Sequence, residues 1–272
     1  MHIIRPPAVA GAFYPGRSQT LSHDVLAMLA AARPDPADVA MAAPKALIVP
    51  HAGYIYSGAT AAQAYARLAG VRQTIRRVVL LGPVHRVPVR GLALPGADVF
   101  ATPLGQIEID QDAVVAIKSL PQVLESPAAH AQEHSLEVQL PFLQLALDNF
   151  KLLPLAVGDA TPAEVAQVLD MLWGGDETLI LISSDLSHFL PYATAKTVDR
   201  DTVQAMLNLQ TTLTHQQACG ATPVNGLLLA ARRHHLQPRL LGLCNSGDTA
   251  GDPGRVVGYA ALAFTPGESR VH

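Results

Sequence analysis

The stretch K-A-L-I-V-P-H-A-G-Y-I-Y-S-G, residues 45–58, decides how the rest of the sequence is interpreted. Its apolar run, residues 46–49, carries no charge and ends at a proline, which is typical of a strand buried on both faces. His51 follows that proline, and the alanine-rich segment after Gly58 favours a helix. The pattern predicts a histidine at the carboxyl end of a buried strand, where ligands bind in open α/β sheets.

The same arrangement occurs twice more along the chain. The apolar run 78–81 leads to His85, and the run 179–182 leads to Asp185 and His188. If the three strands are parallel neighbours, their carboxyl ends lie at one edge of the sheet and these side chains converge there. That convergence is the central prediction from the sequence.

Strand patterns alternate with helix patterns through the rest of the chain. Thr161 followed by Pro162 is a strong helix start, and short strands are predicted near 91–94 and 105–109. The alternation predicts an α/β fold with a mixed, mostly parallel sheet and helices on both faces. The sequence has no repeat or linker, so the prediction is a single domain over residues 1–272.

Composition excludes several classes of protein. Of the 272 residues, 49% are hydrophobic and 15% are charged, and the net charge of −3 includes no basic block for binding nucleic acid. No apolar run approaches the ~18 residues that a membrane span needs, and the amino terminus lacks a signal-peptide core. We therefore predict a cytoplasmic protein that binds neither nucleic acid nor membranes. In that compartment Cys219 and Cys244 are expected as thiols.

Histidines at strand ends suggest a metal site. Neutral imidazole is the commonest metal ligand near neutral pH, and both His51 and His85 follow strand ends. The alternative is that each ring caps a helix or packs in a turn. Spacing alone does not decide whether Cys219 or Cys244 reaches a metal, and neither belongs to a C-x-x-C pair.

Two further histidines lie at junctions with catalytic potential. His188 suits an acid–base group, with Asp185 either orienting it or supporting a metal ligand; the alternative for Asp185 is a helix cap. His134 either faces the same cleft or lies in a helix start capped by Ser135. Glu137 is interpreted as a first-turn acid on the helix dipole.

Seven blocks of sequence occur in order along nearly the whole chain. They are V-A-G-A-F-Y-P, P-H-A-G-Y-I-Y-S-G, L-G-P-V-H, E-H-S-L-E-V-Q-L-P-F-L, S-S-D-L-S-H, C-G-A-T-P-V, and S-G-D-T-A-G-D followed by V-V-G-Y-A-A. Together they resemble the Memo family, whose prokaryotic members include the Memo-like component of the AmmeMemoRadiSam system. The resemblance implies a three-layer α/β/α sandwich similar to class III extradiol (LigB-like) dioxygenases.

The resemblance also implies a mononuclear metal site that holds Fe(II), with copper or zinc as alternatives. The residues implied as metal ligands are His51, His85 and Cys219. Asp185 and His188 match the family's S-S-D-x-x-H and are implied to line the same pocket; together with His134 they are the predicted catalytic residues. A thiolate is softer than the carboxylate of the dioxygenases, so kinship of fold does not fix the reaction.

Two functions are predicted. The first is a metal-dependent oxidoreductase acting on a phenolic or related small substrate. The second is a metal-handling or peptide-binding protein without turnover on the same scaffold. The resemblance makes a radical-SAM protein a further candidate partner.

Overall fold

Two β-sheets and their covering helices make up residues 2–32 and 42–267, the parts of the chain that the computed structural model describes. The strands are β1 (Ile4–Arg5), β2 (Ala46–Val49), β3 (Arg77–Pro83), β4 (Leu92–Leu94), β5 (Val99–Thr102), β6 (Gly105–Glu108), β7 (Val123–Glu125), β8 (Lys151–Val157), β9 (Thr178–Ser183), β10 (His188–Leu190), β11 (Leu236–Asn245) and β12 (Val256–Pro266). The helices are α1 (Ser18–Ala31), α2 (Tyr54–Tyr65), α3 (Gln111–Ile117), α4 (Pro127–Ala131), α5 (Leu140–Ala146), α6 (Pro162–Met171), α7 (Tyr192–Leu207) and α8 (Ala221–Arg233).

The larger sheet has a parallel centre and antiparallel margins. Its order is β10-β12-β2-β9-β3-β8-β4-β7, with β11 paired to β12. The four central strands, β2, β9, β3 and β8, run parallel to one another. On either side of them, β12 is antiparallel to β2 and β4 is antiparallel to β8. The three strands predicted to be parallel neighbours are therefore adjacent, in the order β2-β9-β3. The smaller sheet consists of β1, β5 and β6.

Helices cover both faces of the central strands, which confirms the predicted α/β fold. Along β2, Leu47 and Val49 pack into one hydrophobic core while Ala46 and Ile48 pack into the other. The first core also contains apolar residues of α1, α2 and α5, and the second contains those of α3, α6, α7 and α8. Because successive side chains of a strand point to opposite faces, a strand buried on both sides is apolar throughout. The extent of the domain, residues 1–272, stays a prediction.

Several element boundaries differ from the sequence predictions. Helix α2 begins at Tyr54, directly after Gly53, and not after Gly58. The helix start predicted after Ser135 is a 3₁₀ turn, Glu137–Gln139, followed by the short α5. Ser135 does not cap it, because its hydroxyl donates to the Pro83 carbonyl. The local sequence favours helical structure in these segments but does not determine the residue at which each helix begins.

The predicted helix start at Thr161 is confirmed, and a second capped start is found at Asp110. Thr161 and Glu164 form a reciprocal capping box at the start of α6, with Pro162 in the first turn. Asp110 caps α3 by accepting a hydrogen bond from the Ala113 amide. None of the helices in the described ranges has the length and apolar character needed to cross a membrane.

Candidate metal centre

Three histidines meet at the carboxyl edge of the parallel strands. His51 follows β2, His85 follows β3, and His134 lies in the segment between α4 and α5. Each offers one ring nitrogen, and these nitrogens all lie within 4.8 Å of one another. Ring centroids are 5.3 Å apart for His51 and His85, 5.4 Å for His51 and His134, and 4.6 Å for His85 and His134. This group could hold one metal ion.

The tautomer of His51 is set by Ser183, the last residue of β9. The Ser183 hydroxyl donates its one proton to the Ser135 carbonyl at 2.6 Å and accepts from Nε2 of Gln139 at 2.8 Å. Nδ1 of His51 lies 2.9 Å from the same oxygen and must therefore donate. The proton on Nδ1 leaves a lone pair on Nε2, the form in which imidazole binds metals.

Glu133 sets the tautomer of His85. Its carboxylate accepts from Nδ1 of His85 at 2.8 Å and from the backbone amides of His85, His134 and Ser135 at 2.6, 2.9 and 3.0 Å. Burial raises the pKa of Glu133, but the hydrogen bonds and the charge of His85 outweigh it and hold that pKa at about 2. An ionised carboxylate only accepts, so Nε2 of His85 keeps its lone pair.

Burial keeps the rings of His51 and His134 uncharged. It lowers the pKa of His51 well below the usual value, and the neighbouring His134, His85 and His188 lower it further. Burial also lowers the pKa of His134 to about 4, although Glu133 opposes the shift. Uncharged imidazoles present lone pairs without a competing proton, which is what a cation needs.

Cys219 lies beside this cluster and Cys244 does not. Sγ of Cys219 is 3.4 Å from Nε2 of His51, and the Asp185 amide donates to that sulfur at 3.3 Å. Burial, and then the charge of Asp185, raise the pKa of the Cys219 thiol to about 12. Sγ of Cys244 instead lies 3.0 Å from the hydroxyl of Thr60. Of the two thiols, Cys219 is the one that contacts a clustered histidine, but it is not part of the group of ligand atoms that lie within 4.8 Å of one another; His134 takes that place.

Asp185 supports His51 rather than His188. Its Oδ1 accepts from the His51 amide at 2.7 Å, and its Oδ2 lies 4.0 Å from Nε2 of that ring. Burial raises the pKa of Asp185 to about 7, although hydrogen bonds from the amides of His51 and Ala52 oppose the rise. Nδ1 of His188 pairs with the Leu186 carbonyl at 2.9 Å. These contacts match the alternative, support of a metal ligand, and the catalytic role of Asp185 beside His188 stays a prediction.

A buried ion pair joins the histidine segment to the amino-terminal segment. Glu137 pairs with Arg5 and also accepts from the Tyr14 hydroxyl at 2.6 Å and from the amides of Ala8 and Val9 at 2.8 and 3.0 Å. Glu137 lies in the first turn of its 3₁₀ helix, as predicted, but it is fully buried and holds these distant partners as well. Its partners lie more than 120 residues away in sequence, so no local pattern could reveal them.

Arg5 ties the same network to the histidine segment. Its Nε donates to the His130 carbonyl at 3.0 Å and its second guanidinium nitrogen donates to the Glu133 carbonyl at 2.7 Å. Phe13, from the same amino-terminal segment, packs its ring 4.7 Å from that of His134. The amino-terminal segment therefore fixes both the backbone and one ring of the site.

Two cavities lie at different ends of the parallel strands. One of about 530 Å³ is lined by Phe13, whose ring contacts that of His134, and by Gly53 to Tyr56; none of the three histidines lines it. A larger groove of about 1010 Å³ is lined by Arg77 and Lys151, the first residues of β3 and β8. The larger groove therefore lies at the opposite end of the strands, away from the cluster.

Known proteins similar to this chain share one family description. The sequence profile of the Memo family, described as Memo-like protein, matches residues 5–263. A MEMO1 family protein of Aquifex aeolicus is 37% identical over 274 residues, covering 96% of this chain and 99% of that protein. One of Ignicoccus hospitalis is 34% identical over 284 residues, covering 96% and 99%. An uncharacterized Escherichia coli K12 protein of known structure aligns with a TM-score of 0.48 at 14% identity, over 80% of this chain and 98% of that one; this is too distant to indicate shared function.

Proposed function

This chain belongs to the Memo-like protein family, and we propose that it is a metal-dependent oxidoreductase whose clustered histidines hold one ion beside a small-substrate cleft. The observation that carries the proposal is the convergence of three histidine rings whose ligand atoms lie within 4.8 Å of one another. For His51 and His85, the hydrogen bonds leave Nε2 free to bind. Structural histidines usually have both nitrogens occupied or solvated, so this arrangement favours metal binding.

The donor set suits Fe(II), with copper and zinc as alternatives. Imidazole binds all three ions, and the Cys219 thiol, 3.4 Å from Nε2 of His51, would add a soft donor on losing its proton. A bound ion supplies Lewis acidity and, in the case of iron or copper, redox chemistry. His51, His85 and Cys219 are the proposed ligands, and His134 either completes the set or assists proton transfer.

His188 is the proposed acid–base group. Its Nδ1 is occupied by the Leu186 carbonyl, so Nε2 is the nitrogen that can accept a proton from a phenolic substrate. Burial lowers its pKa, so the ring is uncharged and ready to accept at neutral pH. Asp185 holds the backbone at His51 and keeps that ligand in place.

Oxygen uptake tests the oxidoreductase proposal. The full chain is loaded anaerobically with Fe(II), and oxygen consumption is followed with a panel of catechols. We expect iron-dependent uptake that His188→Ala reduces by about 100–10,000-fold while iron content stays unchanged. Absence of iron-dependent turnover in the parent protein on every phenolic substrate would contradict the proposal.

A metal-handling function without turnover is the second candidate, and the Cys219 thiol favours it. A thiolate donor is open to oxidation by O₂, which disfavours oxygen chemistry at the same ion. Tight metal binding that survives His188→Ala, together with an inactive parent, would support this function. The same cleft could then bind a peptide, and co-purification with a radical-SAM protein would support a partner role.

A further inference from the structure

Phe189 has a backbone conformation that its place in the fold does not explain. Among the described residues, positive φ outside glycine occurs at Phe189 (60°), Leu209 (54°) and His235 (54°). Leu209 and His235 each directly follow the C-cap residue of a helix, α7 or α8, a position where a left-handed residue commonly ends the helix. Phe189 lies within β10 and ends no helix.

A β-bulge sets this conformation. His188 pairs with Val257 while Leu190 pairs with Val256, so the register shifts by one residue between them and Phe189 is the extra residue. A left-handed residue in such a bulge is usually glycine, because a Cβ crowds the backbone there. Phenylalanine therefore strains the chain where glycine would fit without strain.

Burial does not compensate for this strain. The Phe189 side chain is 60% exposed, although large apolar side chains gain stability mainly by burial. Its main partner is the guanidinium of Arg255, 4.8 Å from the ring centroid, a cation–π contact at an exposed site. Because the fold gains little stability from this strained and exposed side chain, the aromatic ring indicates a functional contact.

The ring lies next to the proposed acid–base group. The centroids of Phe189 and His188 are 5.6 Å apart with an interplanar angle of 74°, so the edge of one ring meets the face of the other. His188 in turn follows the carboxyl end of β9, the strand between those that deliver His51 and His85. The bulge therefore presents an aromatic surface beside His188.

We propose that Phe189, supported by Arg255, determines specificity by packing against the aromatic ring of the substrate. The inference rests on the proposed function and names the residue that recognises the aromatic ring of its phenolic substrate. Stacked or edge-to-face contact between the two rings supplies the affinity, and the strained backbone holds Phe189 in position before the substrate arrives.

Binding of two chelators to Fe(II)-loaded protein, kept anaerobic, tests the proposal. The probes are 4-nitrocatechol, which has an aromatic ring, and acetohydroxamate, which binds metals without one. Phe189→Gly should keep its iron, resist denaturant better than the parent, and bind 4-nitrocatechol about tenfold more weakly, as loss of one aromatic contact implies. Its affinity for acetohydroxamate should stay unchanged, and Phe189→Leu should bind 4-nitrocatechol with intermediate affinity.

His235→Gly is the matched control, because it relieves the same backbone strain at an exposed helix end. It should raise the denaturation midpoint and leave both chelators unaffected. The proposal is overturned if Phe189→Gly binds 4-nitrocatechol like the parent, weakens both chelators equally, or unfolds more easily. A parent that binds iron but not 4-nitrocatechol also overturns it, whereas a parent that binds no iron overturns the proposed function itself and this inference with it.

Discussion

Glu133 and Glu137 lie on one short segment, are both buried, and have opposite kinds of partner. Glu137 is surrounded by donors from the amino-terminal segment, with the Arg5 guanidinium balancing its charge. Glu133 has no arginine pairing with its carboxylate among the described residues, and it accepts from His85 and from three backbone amides instead. One carboxylate joins two parts of the chain, and the other orients a histidine.

The difference shows how a buried polar cluster can be recognised as a site. The negative charge of Glu137 is balanced by Arg5, and each of its carboxylate oxygens accepts a hydrogen bond. The cluster therefore has no unused acceptor with which to bind a ligand. The Glu133 carboxylate bonds only Nδ1 of the His85 ring. The other ring nitrogen, Nε2, stays available beside His51 and His134. Saturated hydrogen bonding indicates a structural role, and free lone pairs that converge indicate a binding role.

The largest expected effect is on stability, at Glu137. Glu137→Ala leaves the Arg5 guanidinium buried without its counter-charge, so the free energy of unfolding should fall by about 3–5 kcal/mol. Urea denaturation at neutral pH measures it. Asp148→Ala, which breaks the more exposed pair with Arg72, is the control and should cost less than about 1 kcal/mol. Equal losses in the two variants would remove the distinction drawn for Glu137.

The next effect is on metal affinity, at Glu133. Glu133→Gln keeps the shape of the side chain but cannot accept from all four donors, so His85 loses its fixed tautomer and orientation. Metal affinity, measured by competition with a chelator, should fall by about 10–100-fold. An unchanged metal affinity would show that Glu133, like Glu137, has only a structural role.

A smaller effect is expected at Ser183, which orients His51. Ser183→Ala removes the acceptor for Nδ1 of His51, and one hydrogen bond of about 1 kcal/mol corresponds to about a fivefold loss of metal affinity. The same competition titration measures it. A loss as large as that of Glu133→Gln would show that Ser183 does more than accept this hydrogen bond.

The smallest effect is expected at Arg77, at the opposite end of β3 from His85. Burial raises the pKa of Asp110, but the hydrogen bond and charge of Arg77 outweigh it and lower that pKa. A carboxyl with a lowered pKa stabilises the fold above its unfolded pKa of about 3.9, and this stabilisation is lost as pH falls through the folded value.

Arg77→Ala should therefore cost less than about 1 kcal/mol at pH 7, because the pair is partly exposed. The difference in free energy of unfolding between Arg77→Ala and the parent should shrink as pH falls below about 4. Denaturation curves across pH measure it, and metal affinity should stay unchanged. A change in metal affinity would show that the two ends of the strand are coupled.

Local patterns predicted the strands and their histidines but not the contacts around them. Local residues alone determine the apolar runs of β2, β3 and β9 and the capping box at Thr161. These features could therefore be predicted from the sequence. The role of Glu137 depends on Arg5, 132 positions away, and that of Glu133 on His85, 48 positions away. The glutamate next to His134 in E-H-S was the one available signal for an orienting carboxylate.

Metal content tests the central claim most directly, namely that segments distant in sequence build one ion site. The full chain, His51→Ala and Cys219→Ser are loaded with Fe(II) anaerobically, desalted and assayed for bound iron. The account predicts one ion per parent chain, almost none in His51→Ala, and a weakened, spectroscopically altered site in Cys219→Ser. A parent that retains no metal, or a His51→Ala variant that retains as much as the parent, would contradict it.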